Sequence, residues 1–399
     1  MPEIELIPRL SLAERDRRYT LVREKMAAEG LDVLLLPANT SRWEQTMADS
    51  RYLTGIGGFA TEVLTIFPAE GPATAYVFNR ANWWTRVQDW VEDVRDGRNR
   101  WAENAVARLR ELGFRNGRLG VSGLSGLIRT PDGIVPHTTV ELLREAFPDA
   151  EVVNATSLMQ EVRAIKSAEE IRCMERSMEI IERMIDAMTE GAREGVSEKE
   201  LYADMAHVML RSGGELPTLF FLGSGPGATQ SSFVPTNRVL RHGDRIVNEI
   251  EAKYAGYAAQ AVRPMLLGEP DATFRELTDI SCACFHAILD AMKPGVTFGT
   301  LFETYMKTVE DLGDGKHTWS HPMMHARGLG DDGPALMGDA DVERFQKIRL
   351  AAGMVFILKP RIRVADGKDH ASIGDTVVVT DGGARRLGSG KLELITVSS

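Results

Sequence analysis

Apolar and polar positions in the first part of the chain alternate between helical and strand periods. Arg17–Glu29 reads as an amphipathic helix ended by Gly30. Val33–Leu36 reads as a short buried strand, and Val63–Phe67 and Thr74–Phe78 as two more. Trp101–Leu112 has helical spacing, and Arg118–Val121 is a strand following the turn residues Asn116 and Gly117. Strands interleaved with helices predict an α/β domain over residues 1–160. A second domain is expected over residues 161–399, because Ser167 and Glu170 form a capping-box signature that opens a long helix.

This second region repeats itself. Gly195-Val196-Ser197 with Leu201 recurs as Gly295-Val296-Thr297 with Leu301. In each copy the glycine ends one helix and the hydroxyl residue caps the next; in the first copy Glu200 completes another capping box. A duplicated α+β domain with a pseudo-twofold axis follows, with a cleft between the halves as the natural place for a ligand.

Composition narrows the function. A net charge of −10 over 399 residues argues against nucleic acid or an anionic membrane as partner, since phosphate needs a basic face. The first residues lack the apolar core of a signal peptide, and no run reaches the length of a membrane span. Three cysteines, Cys173, Cys282 and Cys284, suggest reduced thiols and a cytoplasmic protein.

Several segments carry a resemblance. Tyr52-Leu53-Thr54-Gly55, the helix opening Ile165–Ile171, Gly225-Pro226 with Pro235–Leu240, Gly353–Phe356 and Asp375-Thr376-Val377 resemble, in order and spacing, the creatinase/aminopeptidase ("pita-bread") superfamily of Xaa-Pro peptidases, creatinase and ectoine hydrolase. The resemblance implies a creatinase-like N-terminal α/β domain, a pita-bread C-terminal domain and a homodimer. It also implies five metal ligands on two aspartates, a histidine and two glutamates. Here those positions read Glu249, Gln260, His325, Lys359 and Gly374. Only the histidine is unchanged, and Lys359 brings a cation where a carboxylate is expected. Such a set predicts no metal and no other cofactor, because hard dications need several anionic oxygens. Creatinase's own pattern is not kept either. Its base histidine falls on Ser232, its substrate glutamates on Val262 and Lys359, and its arginine near Leu336.

The charges left for the cleft are Glu249, Glu251, Arg263, His321, His325, Arg327, Asp332, Lys359, Arg361 and His370, with the amide Gln260. Glu249 and Glu251 share a strand face, and so do Lys359 and Arg361. An acid pair opposite a cation pair is either a structural network or a grip for an anionic substrate with one carboxylate moving a proton. His325 in H-x-x-G weighs toward catalysis. Ser232 lacks a nucleophile setting, and the glycine-rich turn at Gly223–Gly227 lacks a phosphate-binding lysine. Aromatics crowd the N-terminal domain: Trp43, Phe59, Trp83, Trp84 and Trp90. In dimeric relatives Phe59 and its neighbours would reach the partner's pocket.

These readings give the following expectation. The chain is a metal-independent acid/base enzyme cleaving a small non-peptide organic molecule, with C–N hydrolysis first and a C–C or C–S lyase as the alternative. A metallo Xaa-Pro peptidase and a non-catalytic binding protein are the rival readings. Glu249, His325 and Lys359 are assigned to catalysis. Glu251, Gln260, Arg263, His321, Arg327, Arg361, His370 and Phe59 are assigned to substrate binding.

Overall fold

The computed structural model describes residues 8–38, 47–58, 61–126, 130, 132–226, 234–269, 272–313, 317–321, 324–336, 339–364 and 369–398. Phe59, Trp43 and Ser232, singled out above, lie outside the described residues. The chain divides into two compact units. One is Met1–Ala164 with Leu329–Asp332; the other is Ile165–Gly328 with Gly333–Ser399.

The first unit runs α1 (Leu12–Glu29), β1 (Val33–Leu36), α2 (Ala48–Thr54), β2 (Val63–Pro68), β3 (Thr74–Val77), α3 (Ala81–Val87), β4 (Asp93–Asp96), α4 (Trp101–Glu111), β5 (Gly117–Val121), α5 (His137–Ala146), β6 (Ala150–Asn154) and α6 (Thr156–Ala164). Among the described residues its strands form one mixed sheet in the order β4-β3-β2-β1-β5-β6. Fully buried runs in β1, β2 and β3 explain why these segments read as continuous apolar strands. Helix α1 begins five residues earlier than its apolar period predicts. Ser11 accepts a hydrogen bond from the Glu14 amide, and the buried stripe is Glu14, Arg18, Val22 and Met26. Two of those four are charged, and they pair with each other at 2.9 Å. Trp84 and Trp90 are core residues here, whereas Trp83 is exposed.

The second unit runs α7 (Ala168–Gly191), α8 (Glu198–Arg211), β7 (Phe221–Gly225), β8 (Arg245–Tyr254), β9 (Tyr257–Ala261), β10 (Met265–Leu267), α9 (Ala272–Ala291), α10 (Phe298–Gly313), β11 (His317–His321), β12 (Met324–Ala326), β13 (Ala335–Leu336), β14 (Val355–Leu358), β15 (Arg361–Val364), β16 (His370–Ser372), β17 (Asp375–Thr380), β18 (Gly383–Arg386) and β19 (Ile395–Val397). Both expected capping boxes are present, at Ser167/Glu170 and Ser197/Glu200.

The repeat is reproduced bond for bond. The Gly195 amide donates to the Leu240 carbonyl and the Leu240 amide returns a bond to Val196; Gly295, Leu350 and Val296 do the same. Bridges Ser197↔Val239 and Thr297↔Arg349 match in turn. Each half pairs two helices with a sheet: α7 and α8 over β7, β8, β9 and β10, then α9 and α10 over β12, β14 and β17 with β15 and β16. The halves meet where Val262 and Gly374 exchange two backbone hydrogen bonds, of 3.0 and 3.1 Å. Beside this, Gln260 and Thr376 are joined through the Thr376 hydroxyl.

Candidate active site

The seam between these halves collects the charges. On β8 and β9, Glu251 and Gln260 are register partners, so their side chains lie on one face of the hairpin. Lys359, just beyond β14, sends its ammonium to Glu249 Oε2 at 2.8 Å and Gln260 Oε1 at 3.0 Å. Glu249, Glu251 and Gln260 therefore share a face, as strand alternation predicts. Lys359 is 3% exposed and Glu249 8%. Gln260 is completely buried, and its Nε2 finds no hydrogen-bond partner among the described residues.

The two glutamates do not act as a mutually repelling pair, because each has its own cation. Glu251 Oε2 accepts from Arg327 at 2.5 Å, while Oε1 accepts from the Thr218 and Leu219 amides at 2.7 and 3.2 Å. Arg327 is thus committed to Glu251 in the interior. Arg263 is committed too. It donates to the Gly374 carbonyl and to Asp375 Oδ2, the latter at 3.2 Å, and burial pulls its pKa below the ordinary arginine value. Asp332 pairs with Arg163 in the first unit. These three were expected in the cleft, and their bonds instead anchor backbone and neighbouring charges.

His325 on β12 is buried, with its Nδ1 3.4 Å from the Ala326 carbonyl oxygen. Its register partner is Ile357, two residues before Lys359. His321 occupies β11 opposite Arg361.

A cavity of about 40 Å³ opens beside Glu249. Its polar lining includes Glu249, Arg361, His370 and Ser372; Val262, Pro264 and Phe274 give it apolar walls. Water needs about 10–15 Å³ on this measure, so the space suits a few waters or one compact group. Burial lowers the Arg361 pKa against the attraction of Glu249. Burial, then Arg361, depresses His370 to about 4, partly offset by Asp369, with Arg245 and Arg363 adding to the depression. His370 is therefore a neutral imidazole near pH 7. Sequence reasoning missed Phe274 and Ser372. The helical period of α9 marks Phe274 as buried, but nothing local marks it as a cavity wall.

Gly374 lies close against the backbone at the end of β14. A Cβ at Gly374 would lie 2.5 Å from Lys359 Cβ and 2.7 Å from the Leu358 carbonyl oxygen. Neither atom is the free end of a flexible chain, so a side chain at 374 requires the end of β14 to move. Any residue but glycine at 359 would present the same Cβ, so it is the close approach of the two backbones that calls for glycine at 374.

The comparisons with known proteins bear on this arrangement. Residues 172–381 match the model of metallopeptidase family M24, and residues 18–165 that of the creatinase/prolidase N-terminal domain. This chain belongs to metallopeptidase family M24. It is 26% identical to a Xaa-Pro dipeptidase of Pyrococcus furiosus over 265 residues, 66% of this chain and 74% of that protein. Solved structures with the same fold include an X-Pro aminopeptidase from Thermotoga maritima (TM-score 0.77, 22% identity, 96% of this chain and 99% of that one). A Xaa-Pro dipeptidase from Bacillus anthracis is similar (TM-score 0.78, 20% identity, 96% of this chain and 100% of that one). The expected α/β N-terminal domain and pita-bread C-terminal domain are both present.

The expected chemistry is corrected. Cleavage of a non-peptide molecule without metal was inferred from altered ligand positions, yet these M24 relatives are named for peptide substrates. Five positions report on the donor set and carry little information about the substrate. The metal question has a geometric side. Lys359 holds Glu249 and Gln260, and among the described residues no three of His, Cys, Asp and Glu converge as a metal site requires. As arranged, this donor set does not fit a pair of divalent ions. No helix among the described residues is long and apolar enough to cross a membrane.

Two measurements follow. Glu249→Ala removes the carboxylate from a buried ammonium and should destabilise the fold by about 3–5 kcal/mol, whereas Glu249→Leu combined with Lys359→Met should recover most of that loss. Urea unfolding reads both; an unchanged midpoint for Glu249→Ala would show that the pair carries no such energy. His370 has a folded pKa below its unfolded value, so the unfolded chain binds more protons between pH 6.5 and about 4. Its contribution is complete above pH 6.5 and lost as pH falls toward 4. Replacing it with Asn should flatten that part of the melting-temperature profile, and an identical profile would remove His370 as the cause.

Proposed function

We propose that this chain is a hydrolase of small peptides, with dipeptides that end in proline as substrates. The supporting observation is the chemistry of the cavity at the seam: one acid, Glu249, one cation, Arg361, and the apolar walls Val262, Pro264 and Phe274. A dipeptide is a zwitterion, and a prolyl residue is a compact apolar ring next to a carboxylate. The cavity takes one compact group, so it suits an end of such a ligand. An acid and a cation beside it complement a zwitterion better than a uniformly charged or neutral molecule. The family's Xaa-Pro dipeptidase and X-Pro aminopeptidase members point the same way. Glu249 is the assigned reaction-side carboxylate because it reaches both the cavity and Lys359. Lys359 fixes its position from behind.

A second reading has one specific observation in its favour. The ammonium of Lys359 holds the two side chains that the resemblance assigns to metal, which suits a protein that binds the same ligands without turning them over. One assay separates the two. Ala-Pro, Leu-Pro and Gly-Pro are incubated with purified protein, with chelator and with added Mn²⁺, Co²⁺ or Zn²⁺, and released proline is measured. Release in at least one condition supports the hydrolase. No release in any of them, with calorimetric binding of the same dipeptides, replaces it with the binding protein.

The assembly we infer is a homodimer, on the family resemblance alone. Light scattering should give twice the chain mass of 44.0 kDa, and a mass of one chain at micromolar concentration ends the inference.

A further inference from the structure

The positions that the family resemblance gives to metal form a site of another kind. Lys359 Nζ stands 2.8 Å from Glu249 Oε2 and 3.0 Å from Gln260 Oε1, and all three side chains are buried. An ammonium has donors and no acceptor, so it meets oxygens from the side on which a bound cation would meet them.

The other carboxylates of the seam are already taken. Glu251 divides its oxygens between Arg327 and the amides of Thr218 and Leu219. Asp375 Oδ2 accepts from Arg263 and Arg386, and Oδ1 accepts from the Thr376 amide. Gly374 brings no side-chain donor, and the Leu358 carbonyl oxygen stands where one would begin. Among the described residues, Glu249 Oε1 is the one oxygen of these three acids outside such pairings. Hard dications take about six to eight oxygens, several of them anionic, and one carboxylate oxygen falls far short. An ion bound to Glu249 would also stand close to the Lys359 ammonium, and like charges repel strongly where water is scarce. Arg361 borders the same cavity and adds a second positive charge.

We infer that Lys359 is the resident cation of the seam: its ammonium stands in for metal, and the chain binds no divalent ion between its two halves. The inference concerns what the seam holds and is independent of which substrate the cavity takes. It goes beyond a poor fit for a pair of ions, because it assigns the exclusion to the charge of one side chain. Exchanging that charge, together with the neighbouring amide, for carboxylates should therefore open the seam to metal.

The test starts from the unaltered protein, dialysed against chelator and titrated with Mn²⁺, Co²⁺ or Zn²⁺ in a calorimeter, beside Glu249→Gln. The expected result is no binding that depends on Glu249. Saturable binding that disappears in Glu249→Gln overturns the inference, whereas binding of equal strength in both proteins lies away from the seam and agrees with it. The second arm is Lys359→Glu combined with Gln260→Asp, which sets three carboxylates side by side. This variant should bind at least one of the ions about 100-fold more tightly than the unaltered chain does, since affinity rises with the count of charged ligands. Its melting temperature should rise with that ion and fall in chelator. A folded variant that binds no more tightly than the unaltered chain shows that Lys359 is not what excludes the ion, and overturns the inference. If the variant does not fold, the titration of the unaltered protein decides alone.

Neither readout needs turnover, which keeps this inference apart from the proposed hydrolase. Proline released from Ala-Pro in chelator agrees with both. Proline released only with an ion that Glu249→Gln no longer binds overturns the inference and keeps the hydrolase. A seam that takes no ion, in a protein that releases no proline under any condition, keeps the inference and removes the hydrolase.

Discussion

Lys359 can stay charged in the interior only because an acid and an amide oxygen meet its ammonium. A buried ion left without a partner costs several kcal/mol, so this contact constrains everything around it. Glu249 is held with one side toward Lys359 and the other toward the cavity. Gln260 gives its oxygen to the lysine. Next to it, the Cβ of residue 359 and the Leu358 carbonyl oxygen fill the space that a side chain at 374 would need, which leaves glycine there. With no side chain at 374, its carbonyl accepts from Arg263, and Arg263 in turn reaches Asp375, which also holds Arg386 at 2.6 Å.

Much of the fold was legible because its signals are local. A capping box needs two side chains three residues apart, and the duplicated Gly-Val-Ser/Thr turn needs one glycine and one hydroxyl; neither depends on tertiary context. The start of α1 was not legible from hydrophobicity for a physical reason. Its buried stripe opens with Glu14 and Arg18, a pair that neutralises itself and lies under Tyr52 and Trp90, with the guanidinium 4.4 Å from the Tyr52 ring. An apolar-period reading counts such residues as surface. Ser11 with Glu14 held the correct boundary in the same sequence.

The site was legible in part. Strand alternation put Glu249 and Glu251 on one face, and motif position offered Lys359 as their cation; it meets Glu249, while Glu251 takes Arg327. Which arginine serves which acid depends on distances between strands far apart in sequence. Arg327 could be recognised as a candidate but not as the partner of Glu251. Arg263 has the same composition signal as Arg361, yet one is clamped to backbone and the other borders empty space. The cavity itself is contributed by β8, α9, β15 and β16 together, so no window of sequence contains it.

Charges from the two halves meet along their seam. The first half supplies Glu249, Glu251 and Gln260; the second supplies Lys359, Arg327 and Arg361. Had both halves kept one sign, the seam would repel and the pseudo-twofold packing would depend on apolar contact alone. The ion pairs Glu249–Lys359 and Glu251–Arg327 cross the seam at 2.8 and 2.5 Å, and Arg263–Asp375 crosses it at 3.2 Å with the signs reversed. The cavity is drawn from both halves as well: Glu249, Val262 and Pro264 face Phe274, Arg361 and His370. A ligand seated there bridges the same seam as the ion pairs and is read from two sides by opposite charges. On the peptide reading proposed above, charge fixed in this way would orient a small zwitterion, because reversing it would set like charges against each other.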